Sequence, residues 1–103
     1  NLNKRLQDIG IGETFLFEFP NHRSPCLLVR LSEDEFVAFT QKCPHLACPV
    51  IPEVEKSQFH CPCHHGAFDL ETGKAVAGPP RSGLQRVQIE VKSDGSLFAI
   101  GFA

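Results

Sequence analysis

The chain has 103 residues, 42% of them hydrophobic and 21% charged, with a formal net charge of -2 at pH 7. This describes one small domain with a modest core that a metal centre or disulfide would help to hold, and it excludes the basic balance of a nucleic-acid binder and the make-up of a disordered tail. No run approaches the ~20 apolar residues of a membrane span and no signal-peptide pattern precedes Leu2, while a chain that begins at Asn1 without any methionine leaves room for a preceding segment, an anchor included.

Leu2, Leu6 and Ile9 share one helical face near the start, a fragment too short to hold a helix by itself. Phe15, Phe17 and Phe19 then alternate with Leu16 and Glu18, the period of a half-buried strand. Residues 26–31 and 36–40 read as a further pair of strands around the Glu33-Asp34-Glu35 turn, a solvated hairpin tip. Cys26 is expected as a small buried core residue rather than a reactive thiol. Residues 57–60, 67–70 and 74–77 are strand candidates separated by turn signals such as Glu71-Thr72-Gly73. Val87, Ile89 and Val91 alternate again, and Ser93-Asp94-Gly95 turns the chain into a last strand at 96–100. The plan is antiparallel, dense with hairpins and poor in helix. Composition changes between 41 and about 82, where six of the eight prolines and four of the five cysteines gather.

Two boxes lie in that stretch: Cys43-Pro44-His45-Leu46-Ala47-Cys48 and Cys61-Pro62-Cys63-His64-His65-Gly66. A Cys-x-His followed, after fifteen intervening residues, by a Cys-x-x-His supplies two thiolates and two imidazoles from two loops. That is the donor set of an iron-sulfur centre in which two Cys hold one iron and two His the other. Zinc accepts the same ligand types, but its sites usually begin from Cys-x-x-Cys spacing and would leave two cysteines without a role. A disulfide framework cannot pair five cysteines and does not account for the histidines.

On these boxes, and on the hydrophobic pattern from Phe15 through Ile100, the chain resembles a Rieske domain. The resemblance implies a 2Fe-2S cluster with Cys43 and Cys61 as thiolate ligands and His45 and His64 as imidazole ligands. It implies a disulfide between Cys48 and Cys63 that ties the two loops together. Leu46, with Pro79 and Pro80 of Gly78-Pro79-Pro80, would cover the cluster. The implied fold is all-β, a small antiparallel sandwich or barrel, with a base of residues 1–40 and 83–103 and an inserted cluster-binding subdomain, 41–82.

Two ferric ions, two sulfides and two thiolates sum to a neutral core when the other ligands are neutral imidazoles, so adding an electron is easier than with four thiolates. This raises the potential into a range of about -150 to +300 mV, against about -400 mV for plant-type centres. Each imidazole keeps a second ring nitrogen that can hold or release a proton. Quinol-oxidising members of the family commonly read C-P-C-H-G-S with a Tyr two residues on, and the Ser and Tyr hydroxyls donate to cluster sulfur. Here those positions are His65, Gly66 and Phe68, and the chain has no Tyr. Two donors that stabilise the reduced state are missing, which places the potential lower in the range.

The chain therefore reads as a one-electron carrier, with no nucleophile, base and oxyanion arrangement of its own. The first expectation is the soluble domain of a quinol-oxidising electron-transport complex, with quinol and a cytochrome as partners and a periplasmic or membrane-associated place. The alternative is a free-standing cytoplasmic ferredoxin serving a reductase or oxygenase. A zinc-stabilised binding module is the remote third. His22 and His60 receive no role, and His65 is expected as a solvent-facing loop residue.

Overall fold

The computed structural model describes residues 2–42, 49–62, 65–78 and 83–103. Strands β1 (Thr14–Glu18), β2 (Pro25–Arg30) and β3 (Phe36–Thr40) form one sheet in chain order. Strands β4 (Ile51–Glu53), β5 (Gln58–Cys61), β6 (Gly66–Asp69) and β7 (Ala75–Ala77) form a second, and β8 (Val87–Val91) pairs with β9 (Leu97–Phe102). Every pairing is antiparallel, and no α-helix is present among the described residues.

The run Cys26-Leu27-Leu28-Val29 is buried throughout, and its period-2 geometry explains why. Side chains alternate between faces, and both faces of this sheet are covered. Leu27, Val29, Val37 and Phe39 point into a core shared with Val50, Phe59, Cys61, Phe68, Leu70 and Leu84. Cys26, Leu28 and Ala38 point into a second core with Ile9, Phe17, Val87 and Leu97. The β1-β2-β3 sheet is thus a middle layer, with β4–β7 on one side and the β8-β9 hairpin on the other. Phe39 meets Phe59 edge-on, with ring centroids 5.6 Å apart and planes at 77°, a geometry worth about 0.5–1.5 kcal/mol beyond the area buried. Gly73 permits this packing: a Cβ there would lie 2.5 Å from the Phe39 ring.

Strand bounds follow the alternation within a residue or two, with three differences. β4 was not expected, because Pro52 argues against a strand interior; it pairs only with β5 and lies at the sheet edge, where the missing amide has no partner to lose. Ser57 is outside β5 and takes a left-handed φ of 54° that closes a short 3-10 helix, Val54–Lys56. The expected helical face at Leu2, Leu6 and Ile9 shrinks to a 3-10 helix, Leu6–Asp8. All three side chains still pack on the second core, because the segment is held as a strand-like addition to β9: Leu2 donates to the Leu97 carbonyl and Leu97 to that of Lys4. Cys26 is buried as expected, and burial pushes its thiol pKa up.

Arg30 fastens that segment to β2. Its guanidinium donates to the carbonyls of Ile9 (2.8 Å), Ser32 (3.1 Å) and Glu33 (3.0 Å), using the fixed fork of donors that only Arg supplies. Replacing it by Ala leaves those carbonyls to water and unpins the N-terminal segment; Arg30→Ala is expected to cost about 2 kcal/mol, measured as a lower urea midpoint.

The Asp69 carboxylate accepts from the Thr72 amide and hydroxyl, each at 2.9 Å, and closes the turn between β6 and β7. These bonds hold its carboxyl below the ordinary value of 3.8. A depressed folded-state pKa contributes stability that is fully present above the unfolded value and is lost as pH falls through the folded one. Asp69→Asn should therefore be less stable than the parent at pH 7, and the gap should close below about pH 3.8 as Asp69 becomes protonated, read from urea midpoints at successive pH values.

Candidate metal centre

The second sheet brings three loop bases to one end. β4 starts where β5 ends, with Ile51 opposite His60. β5 ends where β6 starts, with Cys61 opposite Gly66, and β6 starts opposite the end of β7, with Ala67 opposite Ala77. The first box leaves from a closed neck: Lys42 bridges Pro49, the Val50 amide donates to the Gln41 carbonyl at 2.7 Å, and the Gln41 side chain returns a bond to the Val50 carbonyl at 3.2 Å. The second box spans the β5-β6 turn.

The third base is Gly78, just before the Pro79-Pro80 pair. Its φ is +85°, and a Cβ there would fall 2.6 Å from the Gly66 Cα and 3.0 Å from the His65 carbonyl oxygen. The close approach of two backbones is what requires glycine here. After residue 82, the Leu84 amide donates to the Gly73 carbonyl at 2.8 Å.

Of the expected site residues, Cys61 alone falls among those described. It is fully buried at the end of β5, facing the core that holds Val50, Phe59 and Phe68. Cys43, His45, Leu46, Cys48, Cys63, His64, Pro79 and Pro80 lie outside the described residues. His65 is exposed, as expected, with a left-handed φ of 55°. His22 is exposed, with Nδ1 3.6 Å from the Glu18 carboxylate. The contact between Gly66 and Gly78 had not been foreseen; the signal available was a glycine at a strand start and another at a strand end.

The chain matches the Rieske [2Fe-2S] domain family over residues 7–99. It is a Rieske domain. The cofactor of such a domain is a 2Fe-2S cluster, and the residues present fit it: a thiol shielded from water at the sheet end, with the bases of both Cys/His boxes converging there. The Rieske chain is 43% identical over 79 residues to the carotenoid phi-ring synthase of Chlorobaculum tepidum, a match covering 77% of this chain and 12% of that protein. It is 41% identical over 116 residues to the cytochrome bc1 complex Rieske iron-sulfur subunit of Mycobacterium tuberculosis, covering 94% of this chain and 25% of that subunit. The chain thus spans a quarter or less of the length of these two relatives. The crystal structure of the soluble domain of Rieske protein II from Sulfolobus acidocaldarius superposes with a TM-score of 0.82, at 20% identity, over 95% of this chain and 75% of that one. This Rieske domain therefore has the all-β antiparallel fold that the sequence implied. No helix among its described residues is long and apolar enough to cross a membrane.

Gly78→Ala in this domain places a Cβ against backbone and in a φ region unfavourable to it; the expected cost is at least about 2 kcal/mol, with iron content of the purified protein falling in parallel. Gly101→Ala, where a Cβ meets nothing within 4 Å, is expected to stay within about 0.5 kcal/mol of the parent.

Proposed function

We propose that this chain is the electron-carrying domain of a quinol-oxidising electron-transport complex, and that Cys43, Cys61, His45 and His64 hold its cluster. The convergence of the bases of both boxes on the end of the β4–β7 sheet, with Cys61 sealed into the core, is the observation that supports this reading most directly. In it, Cys48 and Cys63 form a disulfide that ties the loops, Leu46, Pro79 and Pro80 cover the cluster, and residues 41–82 act as a unit set on a base of 1–40 and 83–103. When bound, the cluster supplies a one-electron redox centre whose histidine ligands raise its potential above that of a four-thiolate centre.

The chain's own residues set the conditions for that chemistry. Val50, Phe59 and Phe68 keep water from the Cys61 sulfur. Pro44 and Pro62 stiffen the boxes and remove two amide donors, leaving the other amides to point at sulfur. His45 and His64 each retain a ring nitrogen to hold or release a proton toward quinol. The partner's identity rests on the retained Cys48 and Cys63 pair and on the likeness to a cytochrome bc1 subunit. A free-standing ferredoxin is the second reading, favoured by Gly66 and Phe68 in place of hydroxyl donors. A low-potential quinol reconciles those positions with the first.

An EPR-detected redox titration of the iron-loaded protein tests both readings. A reducible iron signal with a midpoint near or above 0 mV supports quinol chemistry, and one near about -150 mV supports the ferredoxin. Zinc in place of reducible iron would overturn the electron-carrier reading. Phe68, buried in the same core as Cys61, is the position at which a donor can be restored. Phe68→Tyr is expected to raise the midpoint, and an unchanged or lower value would remove the hydrogen-bond explanation.

A further inference from the structure

We infer that His60 and His65 together form a binding site for a divalent transition-metal ion, of the class that imidazoles prefer, on the outer face of the β4–β7 sheet. Phe59 and Cys61 point into the core, so His60 between them points the other way. Its direct cross-strand neighbours on that outer face are Ile51 and Ala67. His65 ends the turn that leads into β6, and the two rings come together there, with centroids 6.3 Å apart and planes at 49°. Neither imidazole has a hydrogen bond or ion pair among the described residues.

The separation suits a shared ion. Metal–nitrogen bonds of about 2.0–2.1 Å put each ring centroid about 3.2 Å from the metal, so two imidazoles on one ion stand about 5 Å apart at a tetrahedral angle and just over 6 Å when nearly opposed. A rotamer adjustment of the exposed His65 spans that range. His65 has φ +55°, a region that disfavours any residue with a Cβ. Glycine would adopt it freely, so His65→Gly removes the imidazole without straining the backbone. No third His, Cys, Asp or Glu joins the pair among the described residues, so water completes the coordination. Zn2+ and Cu2+ are the ions that two neutral nitrogen donors favour.

The test uses the iron-loaded protein and Zn2+ alone, which is redox-silent and leaves the cluster's oxidation state untouched. Isothermal titration calorimetry is expected to show one saturable zinc per chain, weakened at least tenfold by His60→Gln and by His65→Gly. The double variant should be no more than about twofold weaker than either single one, because either loss alone removes the chelate. His65→Gly supplies the residue that the backbone prefers, so lost binding there does not reflect a lost fold. Absence of saturable binding, or an affinity unchanged in either variant, would overturn the site. Iron content measured on the same samples reports separately on the electron-carrier reading.

Discussion

Strands β2 and β3 have no face open to water, and the architecture depends on that constraint. A sheet with apolar side chains on both surfaces needs a layer on each side, and the chain supplies them from its two flanks. Residues 49–78 provide the β4–β7 sheet, and the β8-β9 hairpin with the N-terminal segment provides the other cover. Phe39 is the contact point of the first of these interfaces, edge-on to Phe59 on one side and carrying the Arg86 guanidinium 5.3 Å from its ring centroid on another. Removing that ring would loosen the seat of the sheet from which the two Cys/His boxes extend.

The division of labour that results is common among binding proteins: rigid strands position, and loops act. Each loop base is tied by backbone bonds or by direct backbone packing, with the Gln41 side chain adding one bond at the first. The Lys42–Pro49 bridge, the Cys61–Gly66 pair and the contact of Gly78 with Gly66 are all of this kind. Cys61 belongs to both halves of the division, since it closes a strand, packs into the core and opens the second box. Fold and site are therefore coupled at one residue.

The parts of this structure legible in the sequence were those written in periodicity and spacing. Phe15 and Phe17 lie on one face of β1, and β3 has the bounds that its pattern implied. The unbroken apolar run at 26–29 signalled a strand, though not that a layer would cover each side, because burial on a second face depends on distant residues. Pro52 hid β4, since only the tertiary arrangement makes that strand an edge. Ser57 was misplaced because a left-handed cap leaves no apolar trace. The Cys/His spacing identified the chemistry of the centre, whereas the pairing of His60 with His65 was invisible: five positions apart in a chain that turns between them, they meet only once the β5-β6 hairpin is formed.

The wall behind Cys61 has one further consequence. It is hydrocarbon, built from Val50, Phe59 and Phe68, and no buried polar or charged side chain is found among the described residues. If the Cys61 sulfur holds the cluster, as proposed, the side chains packed against it on that face are hydrocarbon and carry no polar groups to reorient. The side-chain readjustment that would accompany gain or loss of an electron is then small on that side. A wall of this sort would lower the reorganisation energy that an electron transfer has to meet, and it comes from the same packing that holds the sheets together.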